Sequence, residues 1–254
     1  MVRKLTIILL ASTATFCAAC GSSDKPAPTT RASVSAQGAG HSVDTSYNPK
    51  IVPAQFTSRI TNTYWPMKPG AKWVYTGTKD GAPQRVDVAV SRQAKTVLGV
   101  RCIVVSDVVT SNHTLVEKTT DWYAQDRQGN VWYFGEDTKE YKNGVVTSTH
   151  GTWEAGVDNA KPGIVVQGTP RVGGYYRQEY RPGQAEDKAK VVSISASGRV
   201  PAGTFHRVLL TRDIDPLNPD KVEHKWYAAG VGPIHVLRIG SAHHEQTKLV
   251  SYRR

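Results

Sequence analysis

Past residue 48 the chain alternates short runs of β-branched and aromatic residues with turn signals, a pattern that predicts strands. Arg85-Val86-Asp87-Val88-Ala89-Val90 alternates polar and apolar residues with period two, as a strand with one buried face does. Lys72-Trp73-Val74-Tyr75-Thr76 runs into the turn Lys79-Asp80-Gly81. Tyr141 to Val146 sets Asn143-Gly144 between two runs, a strong signal for a type I′ hairpin. Outside the first twenty residues, no stretch keeps a helical apolar period over three turns. Connections this short favour antiparallel neighbours. The expected fold class is all-β, mainly antiparallel.

The strands also look duplicated. Gly99-Val100-Arg101-Cys102-Ile103-Val104 has a counterpart in Gly203-Thr204-Phe205-His206-Arg207-Val208, and Trp122-Tyr123-Ala124 in Trp226-Tyr227-Ala228, both 104 residues on. At the same offset Val88 and Val90 match Val192 and Ile194, and Gly70 matches Gly173 one residue short of it. Two similar β-meander units, about 66–135 and 169–239, are expected to form one curved sheet, open barrel or sandwich within a β-rich domain spanning 49–254.

The N-terminus reads differently. Met1-Val2-Arg3-Lys4 is basic, Leu5 to Ala11 is apolar, and small residues lead to Cys17-Ala18-Ala19-Cys20-Gly21. That is the order of a secretory signal, here over residues 1–19. The small residues before Cys20 resemble a bacterial lipobox, in which Cys20 would be acylated and become the mature N-terminus. Cys17 stands where the lipobox prefers Leu. Plain cleavage to a secreted protein is the competing reading; redox chemistry of the C-x-x-C pair is disfavoured because cleavage discards one member. Residues 20–48 lack apolar periodicity and read as a flexible tether, with His41 in it. The protein is therefore expected outside the cell membrane, anchored through a lipid on Cys20.

The chain has 254 residues and a formal net charge of +11, of which +9 remains after residues 1–19. The excess is uneven: residues 65–160 balance at eleven basic and eleven acidic, whereas 161–254 hold fifteen basic and eight acidic. Arg171, Arg177, Arg181, Lys188 and Lys190 form the expected basic surface, suited to anionic headgroups or wall polymers. Nucleic acid is not expected, since no recognition motif accompanies the charge. With Cys20 lipidated, Cys102 is left without a disulfide partner, in a run where a thiol acts as a small hydrophobe.

Val200-Pro201-Ala202-Gly203-Thr204-Phe205 followed by Trp226-Tyr227-Ala228-Ala229-Gly230-Val231-Gly232 resembles the C-terminal signature of a broad group of exported bacterial lipoproteins of unassigned function. Tyr64-Trp65-Pro66-Met67-Lys68-Pro69-Gly70 and Asp121-Trp122-Tyr123-Ala124-Gln125-Asp126 resemble an actinobacterial-type subgroup. The resemblance covers most of residues 60–238. It implies an envelope β-protein and carries no catalytic residue.

Candidate chemistry is sparse. His206, His224 and His235 fall on successive strands, but no H-x-H or H-E-x-x-H spacing marks a metal site, so none is assigned. His243-His244-Glu245 reads as a polar turn. Asp213 to Asp220 starts like a calcium loop but lacks the bend-forming Gly and closing Glu, and its two prolines predict an exposed connection. No nucleophile elbow, phosphate loop or dinucleotide fingerprint is present, so no catalytic residue or cofactor is assigned. The aromatic strand positions Trp73, Tyr75, Trp122, Trp132, Phe134 and Trp226 are the candidate ligand contacts, with core packing the competing role. The expected function is a non-enzymatic envelope binding domain for an apolar ligand, an anionic envelope component or a partner protein. An assembly factor without a small ligand is the main alternative, and a histidine-dependent envelope enzyme the lesser one.

Overall fold

The computed structural model describes residues 46–240 and 244–254. The signal at 1–19, Cys20, most of the tether with His41, and His243 lie outside the described residues. A single 3-10 turn at Pro53–Gln55 precedes sixteen strands, and no α-helix occurs among the described residues. In chain order the strands are β1 Phe56–Thr57, β2 Lys72–Lys79, β3 Ala82–Val97, β4 Val100–Ser111, β5 Thr114–Asp126, β6 Val131–Lys142, β7 Val145–Ser148 and β8 Trp153–Glu154. They continue with β9 Lys161–Val166, β10 Tyr175–Arg177, β11 Glu179–Tyr180, β12 Lys188–Val200, β13 Gly203–Ile214, β14 Val222–Ala228, β15 Gly232–Ile239 and β16 His244–Arg253.

Tight turns make the meander. Asn143 and Gly144 take φ of 53° and 77°, as the I′ turn between β6 and β7 requires. All ladders are antiparallel, in the order β10-β12-β13-β14-β15-β16-β2-β3-β4-β5-β6-β9-β11. The last strand pairs with the first long one, Tyr252 opposite Trp73 and Leu249 opposite Tyr75. One sheet thus curls into a nearly closed barrel. The seam lies where β9 and β10 run side by side without a ladder.

Backbone bonding repeats between the halves. Gly70 N donates to Val90 O while Val90 N donates to Ala71 O; Gly173 N donates to Val191 O while Val191 N donates to Gly174 O. The same bulge follows both Trp-Tyr pairs: Trp122 faces Gly135 and Tyr123 faces Tyr133, just as Trp226 faces His235 and Tyr227 faces Pro233. The expected match of Val88 and Val90 to Val192 and Ile194 needs correction. The ladders put Ala189 and Val191, three residues earlier, in the equivalent buried places, and Val192 and Ile194 are exposed.

One end of the barrel is packed with rings. Trp65, from the segment before β2, lies 5.4 Å from the ring of Tyr123 and 6.3 Å from that of Tyr227. It therefore touches the tyrosine of both Trp-Tyr pairs. Trp73 Nε1 donates to Val231 O at 2.8 Å and Tyr75 Oη to Pro233 O at 3.0 Å, which satisfies their polar atoms inside the core. Gly232 leaves room for Trp65: a Cβ there would sit 3.0 Å from its ring. Trp65→Ala should cost roughly 3–5 kcal/mol, read as a lower midpoint in urea unfolding; a loss below about 1 kcal/mol would contradict a packed plug.

Candidate functional site

Period-two alternation carries acidic residues into the barrel. On β5, Glu117, Thr119 and Asp121 share the inward face with Tyr123, and all are buried. Asp107 on β4, Glu136 on β6 and Asp213 on β13 point the same way, joined by Glu179 on β11 and by Asp187 just before β12. Asp121 and Glu136 are direct cross-strand neighbours, both fully buried. Side chains in such register lie about 5 Å apart at Cβ. The strands thus hold a ring-packed layer at one end and a carboxylate-rich layer beyond it.

The two halves treat this charge differently. Around β14 and β15 of the second, a chain of ion pairs that also reaches Lys79 on β2 runs Lys79–Glu245–Arg238–Glu223–Lys225–Asp213. Arg238 Nη1 lies 2.7 Å from Glu245 and its Nη2 2.9 Å from Glu223, while Lys225 Nζ lies 2.8 Å from Asp213. Burial would raise the Glu223 carboxyl, but Lys225 and Arg238 hold it below the usual range. Burial would likewise lower the Lys225 ammonium, which Asp213 and Glu223 keep well above its ordinary value.

In the first half the residue before the motif tryptophan is Asp121, where the second has Lys225. Hydroxyl donors reach the acids there. Tyr133 Oη donates to Asp121 at 2.7 Å, and Thr138 Oγ1 donates to Glu136 at 2.8 Å and lies 3.2 Å from Thr119 Oγ1. Both oxygens of Asp107 and both of Glu179 lack a hydrogen-bond partner. Burial, then Asp121, Glu117 and Glu136, pushes Asp107 well above the carboxylate range. Burial and Asp187 do the same to Glu179, and burial and Asp215 to Asp187. These groups are held as neutral acids. A cavity of about 10 Å³ lies among Asp187, Asp213, Asp215 and Glu223, room for one water at most. Among the described residues no three His, Cys, Asp or Glu side chains converge to hold a metal ion.

Accessible space lies instead at the seam. One cleft of about 350 Å³ is walled by Trp132 and Ile164 on one side and by Tyr175, Tyr176, Arg177 and Lys188 on the other, with Tyr47 and Pro49 at its rim. Tyr175 is exposed, and Lys188 Nζ stands 5.8 Å above its ring with no carboxylate partner among the described residues. A second cleft, about 440 Å³, adjoins it across Pro49; Ile51, Leu98, Gly156, Ala160 and Pro162 line it together with the polar Asn48, Asn159 and Lys161. Lys161 Nζ donates to Tyr47 O at 2.6 Å and Tyr47 Oη donates to Pro162 O at 2.7 Å, pinning the segment at 47–51 across β9.

The sequence-named residues separate by place. Trp73, Tyr75, Trp122 and Phe134 are buried in the core, Lys95 Nζ capping the Trp122 ring at 3.5 Å. Trp132 reaches the seam cleft, and its Nε1 donates to Asp126. Trp226 is half-buried on the outer wall between His224 and the stacked ring of His235. His206 lies apart from them, 3.3 Å from Ser197 Oγ. Of the basic group, Arg171 and Lys190 are exposed, and Lys188 and Arg181 half-buried. Arg177 is no surface group: it is buried over the rings of Tyr180 and Tyr47, at 4.6 and 5.2 Å, and donates to Glu186 O. The connection after β13 is not wholly exposed either, since Asp215 is buried and accepts from Leu217 N and Asn218 Nδ2. His244-Glu245 opens β16 rather than forming a turn. Cys102 is buried, its thiol pushed up to about 12 chiefly by burial.

No family model and no curated protein matches the chain. Two solved structures have a similar course. One, from Bacteroides fragilis, is described as an exported protein with a YmcC-like fold; it aligns at a TM-score of 0.46 and 12% identity over 76% of this chain and 100% of that one. The other, from Parabacteroides distasonis, is described as a lipoprotein and aligns at 0.41 and 14% identity over 76% and 99%. Neither likeness bears on the chemistry of the site.

The interior acids set the pH response. Asp107, Glu179 and Asp187 have raised affinities for protons, and Glu245 is pushed up to about 7 by burial against the pull of Arg238 and Lys79. The native state therefore binds protons that the unfolded chain releases above about pH 4. Stability should rise as pH falls from 8 to 5, by up to about 1.4 kcal/mol per pH unit for each group titrating. His235, held at about 4 by burial and Lys248, stays neutral in the folded state while the unfolded imidazole takes a proton below about 6.5, so it opposes part of this rise between about pH 6.5 and 5. A melting temperature lower at pH 5 than at pH 8 would refute the proton-loaded interior, and Asp107→Asn should flatten the slope.

Proposed function

We propose that this protein is an exported bacterial lipoprotein, held at the outer face of the cell membrane by acylated Cys20. Its duplicated β-domain binds an anionic envelope component at the seam and performs no catalysis. The observation that carries the binding reading is the seam cleft, where the unpaired ammonium of Lys188 stands beside the exposed ring of Tyr175 and opposite Trp132. Flat rings beside an unpaired cation suit an anion that also offers an apolar face. The anchor reading rests on the basic, apolar and small-residue order ending at Cys20. The duplication reading rests on the repeated glycine bonding and the repeated Trp-Tyr bulge.

The buried acids speak against catalysis at that layer. A general acid must reach its substrate, and the cavity beside them admits a single water.

Two measurements test the reading. Cys20→Ser should move the protein from the membrane fraction to the soluble fraction; unchanged membrane association would reject the lipid anchor. Lys188→Glu with Lys190→Glu should weaken binding to phosphatidylglycerol vesicles about tenfold or more at low salt. Arg253→Glu with Arg254→Glu, an equal charge change on the far strand, should weaken it less. Equal losses from the two pairs would mean that net charge, not the cleft, does the binding.

A further inference from the structure

Leu98 occupies a place that its side chain does not favour. It holds the first position of the β3–β4 turn with φ of 50°, followed by Gly99 at 75°. Such turns favour Asn, Asp or Gly, and a bulky residue there is strained. Its side chain is also 45% exposed, so core packing does not explain it. It stands in the second cleft over Gly156, where a Cβ would come within 2.6 Å of Leu98 Cδ2. An apolar side chain is thus displayed, at a conformational cost, beside a glycine that leaves it room.

The two clefts run along one strand. Pro162 lines the cleft that holds Leu98 and Ile164 the one that holds Lys188, and residues two apart on β9 share a face. Pro49 borders both. Starting from the anion reading above, we propose that they form one site for an anionic amphiphile, a membrane phospholipid. Its phosphate sits at Lys188 beside Tyr175, and its acyl chain passes Pro49 to lie against Ile51, Leu98 and Ala160. The Lys188 ammonium at one end, and at the other the exposed Leu98 with Ile51 and Ala160 among the polar Asn48, Asn159 and Lys161, suit a ligand with a charged head and a chain. The combined space is within the range of small-ligand sites.

The test uses the full chain carrying Cys20→Ser, so that no lipid of its own competes, with butyl, octyl and dodecyl phosphate as monomers in titration calorimetry. Affinity should climb with chain length, by up to roughly fourfold per methylene and at least about tenfold from octyl to dodecyl. Leu98→Asn suits the turn better, so the melting temperature should hold or rise while the chain-length increment collapses. Lys188→Glu should weaken all three ligands, and dodecyltrimethylammonium should bind far more weakly than dodecyl phosphate. Equal affinity across the series, an undiminished increment in Leu98→Asn, or equal binding of the cationic amphiphile would overturn the lipid assignment. Lys188-dependent binding of butyl phosphate would then leave the anion site standing. Failure of every alkyl phosphate to bind would remove both.

Discussion

Closing the sheet through β16 and β2 buries one face of every long strand, whatever that face carries. Much else in the structure follows from this constraint. Apolar inward positions become core without further cost. Acidic ones must find a cation, find neutral donors, or keep a proton, because an isolated charge in such surroundings is prohibitively expensive. The second half uses cations, with Lys225 and Arg238 threading between Asp213, Glu223 and Glu245. The first half uses hydroxyls and protons, with Asp107 lacking even a donor. One substitution in the repeated motif, Asp121 against Lys225, separates the two solutions.

The seam is the counterpart of that closure. Where β9 and β10 fail to pair, the barrel wall is made of side chains, and the rings of Tyr47, Tyr175, Tyr176 and Trp132 fill the gap. A sheet closed all the way round would offer a ligand only its outer surface or its mouth. The interrupted one offers a cleft in the wall. Arg177, stacked between Tyr47 and Tyr180, braces the cleft from behind.

The strands, the Asn143-Gly144 hairpin and the antiparallel order were legible in the sequence because each depends on neighbours a few residues apart. The turns at Gly70 and Gly173, which share a bonding pattern, were legible because a positive φ at a turn leaves a glycine behind. The strand after each was misjudged by three residues, since matching valines cannot reveal which face a bulged strand presents. The interior acids were missed because an acid in alternation ordinarily faces water. The usable signal was phase: Glu117, Thr119 and Asp121 keep step with Tyr123, so whichever way the ring points, they follow. The seam cleft joins Tyr47, Trp132 and Lys188 from distant parts of the chain, and no local pattern announces such a meeting.

The pairing of Leu249 with Tyr75 has a temporal side as well. The barrel is fastened by β16, whose partner β2 stands far earlier in the chain. Contacts so distant in sequence form late and slowly. The barrel cannot close before β16 is free to reach β2. β16 acts as a latch that sets when the barrel closes.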